Sequence, residues 1–182
     1  MTTPTPSGSA RAIGEPAAFH PERLIAVLGR FKVRYVLAGT VAARLQGFPW
    51  MTAVAELVPA VDPQNFDALV NALKHLSARI YTEGTPGGLP FELSPDALTG
   101  ADHWSFVTSC GRVDLAFRPP GVGGFGELAQ NAVRFSLHSD AILVATLDDL
   151  LRMREAVGTA QDRYEIALLR EMVKRQTTGR RT

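Results

Sequence analysis

A run of β-formers that ends abruptly on glycine constrains this chain more than any other feature. Val33-Arg34-Tyr35-Val36-Leu37-Ala38 is dense in β-branched and aromatic residues and stops at Gly39-Thr40, which reads as a buried strand entering a tight turn. Thr40 is a fair helix N-cap, so a short helix follows over Val41–Leu45 and is closed by Gly47.

The segments on either side alternate in the same way. Pro21 suits the first turn of a helix, and Leu24, Ile25, Leu28 and Phe31 recur at helical spacing. Beyond the break at Pro49, Ala55–Val61 reads as a second strand. Asp62-Pro63 then opens an amphipathic helix with Phe66, Leu69, Val70, Leu73 and Leu76 on one stripe. Residues 83–100 hold four Gly and three Pro and read as a long irregular connection. Ser105–Ser109 and Arg112–Phe117 flank Cys110-Gly111 as a hairpin. The stretch around Pro120, Gly124 and Phe125 reads as a loop. Val133–Leu137 and Ala141–Val144 are short strands, and helices follow from Leu147 to Arg154 and from Gln161 to Lys174. The pattern predicts an α/β (α+β) fold, with a mixed sheet of about five strands flanked by helices and a helical C-terminal end.

Composition bounds the function classes. A chain of 182 residues, 46% hydrophobic and 20% charged, is one ordinary globular domain. The expected boundaries are a flexible tail over 1–18, rich in Thr, Pro, Ser and Ala, a folded domain over 19–176, and a frayed tail over 177–182. A net charge of +1 gives no bulk argument for nucleic acid or an anionic membrane surface. No apolar run approaches the ~20 residues of a membrane helix, and the first residues lack a secretory h-region, so a cytoplasmic protein with no membrane partner is expected. The single Cys110 excludes an internal disulfide and reads as a small apolar residue at a strand end. His20, His75 and His138 show no metal-ligand spacing, and His103-Trp104 reads as partial core.

Five pieces then carry a resemblance by their order and spacing: YVLAGT at 35–40, ARLQGFP at 43–49, TAVAELVP at 52–59, GRVDLAFRPPG at 111–121 and TLDDLLRMREAVGTAQD at 146–162. Together they resemble the nucleotidyltransferase superfamily, and within it the AbiEii/MenT-like toxins. Such a resemblance implies that two divalent ions, held by an Asp-x-Asp strand and a third acid from a hairpin, activate the attacking oxygen and neutralise the pyrophosphate leaving group. Alternate residues of a strand point to one face, so Asp-x-Asp aims two carboxylates together. The glycine turn lets phosphate approach backbone N–H groups.

The resemblance implies Glu56 and Asp114 as metal ligands for Mg²⁺, and Gly39, Thr40 and Arg154 as nucleotide-binding residues. It adds Arg154 and Asp162 to Glu56 and Asp114 as the catalytic set. The chain departs from the pattern where the first acid should stand, at Val54, which cannot bind a metal. Arg154 replaces a lysine, and Thr159 and Gln161 replace an Arg and a Lys, so phosphate neutralisation is weakened; Arg44 and Arg118 are the remaining substitutes. Two functions follow from the resemblance. One is a transferase moving a nucleotide from an NTP to tRNA or another RNA, as the toxin partner of an antitoxin protein. The other is a catalytically impaired pseudoenzyme that binds nucleotide or protein.

Overall fold

The computed structural model describes residues 18–137, 140–158 and 163–179, and within them the expected helices and strands form. Residues 1–17 of the expected N-terminal tail, the expected start of the last helix at 161–162 and residues 180–182 lie outside the described residues. The last helix runs on to Gly179, past the expected boundary at 176. Pro21 opens α1 (Pro21–Arg30), which buries Leu24, Ile25 and Leu28. The glycine-terminated strand is β1 (Tyr35–Ala38), buried along its length, and it runs without a break into α2 (Gly39–Leu45). β2 (Val54–Pro59) leads to α3 (Pro63–His75), whose Asp62 cap accepts a hydrogen bond from the Asn65 backbone N–H. The remaining elements are β3 (Arg79–Thr82), β4 (Thr85–Leu89), α4 (Pro95–Thr99), β5 (His103–Thr108), β6 (Gly111–Ala116), α5 (Phe125–Asn131), β7 (Val133–Leu137), β8 (Asp140–Val144), α6 (Leu147–Val157) and α7 (Arg163–Gly179).

The strands make one mixed sheet in the order β4-β3-β5-β6-β2-β1-β8-β7. The α/β class and mixed sheet match the expectation, but the strand number is eight, not about five. Two of the additional strands, β3 and β4, form one end of the sheet, and β4 lies inside the stretch expected to be irregular. Its sequence, Thr-Pro-Gly-Gly-Leu, argues against a central strand and is tolerated because β4 is an edge. Gly88, at φ +66°, lets the backbone approach Ile80, and Arg79 Nε donates to the Gly87 and Gly88 carbonyls at 2.8 and 3.1 Å. The loop expected near Phe125 is in part a helix, α5, entered through Gly124 at φ +79°.

Strand pleating separates two faces. On β6, Gly111, Val113 and Leu115 are buried while Arg112, Asp114 and Ala116 are half-buried. On β2, Ala55 and Leu57 are buried while Val54 and Glu56 are half-buried. Leu57, Val113, Leu115 and Phe106 join the buried stripes of α1 and α3 in one core. Cys110 is buried at the β5–β6 turn, as its expected role as a small apolar residue requires. The opposite face carries the half-buried set, beside α2, which packs on β1, β2 and α6.

Candidate functional site

β2 and β6 run parallel in a register that pairs Glu56 with Asp114 and Val54 with Arg112. The two acids named from the sequence therefore stand side by side. They line a cavity of about 190 Å³ with Gly39, Thr40 and Arg154, so all five of those predicted residues meet in one place. Its other walls are mostly apolar, from Phe48, Pro119, Pro120, Leu150, Met153, Val157 and Leu169. Beside it, Trp50 stacks on the exposed Tyr164 ring at 5.6 Å and contacts Phe48 at 5.9 Å. Asp162, Thr159 and Gln161 lie outside the described residues.

Gly39 is indispensable to this arrangement. Its φ is +63°, and a Cβ built there would lie 2.0 Å from Glu56 Oε1. The Glu56 carboxylate thus rests directly on the glycine turn, beside Thr40. The turn expected to cradle phosphate is thus faced by an acid of the chain itself. Burial pushes the Glu56 carboxyl above its ordinary value of 4.5, Arg154 pulls the other way, and the Asp114 charge adds to the rise. Arg154 also pairs with Glu165 at 3.3 Å across the cavity wall.

Asp114 has a different partner. Arg112 Nε donates to its Oδ1 at 3.1 Å and Arg112 Nη2 to its Oδ2 at 3.3 Å. Nη2 also reaches Ser105 Oγ at 3.4 Å, and the guanidinium carbon lies 3.9 Å from the centroid of the Tyr81 ring. Arg112 escaped the sequence reading, although its position two residues before Asp114 on a strand placed both side chains on one face. His103, read as partial core, is instead exposed and lines the cavity on β5. The suggested substitute arginines lie elsewhere: Arg44 contacts Met51, and Arg118 pairs with Asp102 at 3.5 Å on an exposed surface.

The donor set can be tested against a two-ion centre, which requires an acid bridging both ions. Val54 offers no oxygen at that corner, and both oxygens of Asp114 already accept from Arg112. Among the described residues, no group of three or more His, Cys, Asp or Glu side chains is placed to hold a metal ion. These residues do not fit a two-ion site.

No protein-family model matches the chain. No curated protein matches it either. Among solved structures it is similar to the lincomycin-bound crystal structure of the lincosamide antibiotic adenylyltransferase LnuA, with a TM-score of 0.55 and 13% identity. The match covers 86% of this chain and 99% of that one. At that identity the likeness is one of fold, and the chain is nucleotidyltransferase-like in fold. No helix among the described residues is long and apolar enough to cross a membrane.

Proposed function

We propose that this nucleotidyltransferase-like fold serves as a cytoplasmic binding module whose metal-dependent transfer chemistry is impaired. One observation carries the reading: the paired strands present Val54, Glu56, Arg112 and Asp114 as a block, with two acids where transfer chemistry uses three and a guanidinium among them. Nucleotidyl transfer requires positive charge on the α-phosphate and the pyrophosphate leaving group. Here Asp114 is spent on the chain's own guanidinium, and Glu56 is buried under the pull of Arg154.

The cavity supports binding without transfer. Apolar walls and one polar end, at about 190 Å³, suit a single ring system with a hydrogen-bonding edge, such as a nucleobase, better than a whole triphosphate. The similar adenylyltransferase holds lincomycin, which makes a small organic ligand a second compound class to test. A titration calorimetry series with each of the four NTPs and with lincomycin, with and without Mg²⁺, tests the reading. Binding that is independent of Mg²⁺ and weakened in Phe48→Ala supports it; no binding at millimolar concentrations contradicts it.

The register of Glu56 and Asp114 favours a second reading, in which one ion suffices for an active transferase. Its substrates would be an NTP and tRNA or another RNA, and its partner an antitoxin protein. Incubation with Mg²⁺, α-labelled NTPs and total RNA separates the two. Labelled RNA that disappears in Asp114→Ala establishes the transferase and removes the binding-module reading.

A further inference from the structure

The block on the open face has a feature that loss of one acid alone does not explain. At the corner facing Val54 the chain places a cation, Arg112, and not a neutral residue. In a metal-loaded acid pair the positive charge arrives with the ion. Here it arrives covalently attached to β6. The guanidinium is held on three sides, by both Asp114 oxygens, by Ser105 Oγ and by the Tyr81 ring. An arginine with a two-pronged carboxylate contact and a stacked plane is oriented as well as neutralised. A divalent ion approaching Asp114 must displace this guanidinium or sit beside a like charge.

We propose that Arg112 is the resident cation of Asp114, taking the place there of a divalent metal and keeping metal out of the Glu56–Asp114 pair. Val54, the register partner of Arg112, adds to the exclusion because it offers no side-chain oxygen to a metal that displaced the guanidinium. Glu56 has its own positive neighbour in Arg154, so each acid of the pair faces a cation of the chain. Arg112 is in this sense a positioning residue: it does not line the cavity, and it acts through Asp114.

This assignment rests on the binding-module reading, but a titration with metal alone reads Arg112, whereas the nucleotide titration reads the cavity, so the two can fail separately. Mn²⁺ binding to the full chain, followed by the paramagnetic resonance of free Mn²⁺, is compared for native protein, Arg112→Lys, Arg112→Met and Arg112→Met/Asp114→Asn. Native protein and Arg112→Lys are expected to show no site tighter than millimolar. Arg112→Met is expected to gain about tenfold or more in affinity, lost again in the double variant. Arg112→Gln replaces Arg112→Met if the latter fails to unfold cooperatively. A native site lost in Asp114→Asn would overturn the assignment, as would no gain in the Arg112 variants or a gain that survives Asp114→Asn.

Discussion

Glu56 and Glu127 are the same side chain in two settings, and the protein treats them in opposite ways. At the cavity, Glu56 is withdrawn from water onto the Gly39 turn, and burial raises its pKa. At the junction of α5 and α6, Glu127 accepts from Arg152 at 2.6 Å and from the Gly123 backbone N–H at 2.5 Å, and these contacts lower its pKa. Arg152 also pairs with the buried Asp149 in the first turn of α6, whose backbone N–H donates to the Thr146 cap at 3.1 Å. One cluster fastens a glycine-rich loop to a helix. The other holds charge in a cavity at a cost to the folded state. The difference marks the junction as scaffold and the cavity as the region kept for binding.

Breaking the scaffold cluster has the largest expected effect. Arg152→Met leaves Asp149, 2% exposed and with one oxygen already lacking a partner, without its counter-charge. Partial exposure of Arg152 discounts the full buried-pair penalty, so a loss of about 2–3 kcal/mol is expected in urea unfolding. Cavity ligand affinity should be unchanged where the variant is folded. Gly39→Ala comes next. A non-glycine residue at φ +63° and displacement of the Glu56 carboxylate together cost about 1–2 kcal/mol, read as a lowered Tm with weakened ligand binding.

Arg112→Met perturbs the cavity side. The pair it breaks is partly solvated, so the stability loss is only about 0.5–1 kcal/mol by chemical denaturation, although the metal affinity changes much more. The smallest effects are in pH, and they carry opposite signs. Glu56 has a raised folded pKa, so its favourable contribution is present below 4.5 and lost as pH rises through the folded value. Glu56→Gln should therefore stabilise the protein at neutral pH, with the gain vanishing in acid. Glu127 has a lowered folded pKa, so its contribution is present above 4.5 and lost as pH falls through the folded value. Glu127→Gln should destabilise at neutral pH and converge with the native protein in acid. Thermal unfolding from pH 3 to 8 checks both curves.

Much of the fold was legible because its central strands announce themselves. The strict alternation along Gly111–Ala116 and the buried run into Gly39 each correspond to one physical environment. Glu56, Asp114 and Arg154, named through the family resemblance, converge because strand register and a capped helix bring them together. β4 was hidden because glycine and proline signal irregular chain while an edge strand tolerates both. Arg112 was hidden because an arginine two residues from an aspartate on a strand looks like ordinary solvated charge. Only the Tyr81 ring on β3 and Ser105 on β5 show that it is held in place. Nor does composition reveal that Glu56 rests on the turn, since that contact depends on the close approach permitted at Gly39.

The acid pair carries its own cation where nucleotidyl-transfer chemistry would bring a metal. A crystal of the full chain soaked in Mn²⁺ and measured for anomalous scattering tests it most directly. No peak is expected between Glu56 and Asp114, with Arg112 still on both Asp114 oxygens. A peak coordinated by Glu56 and Asp114, with Arg112 swung away from them, would contradict it.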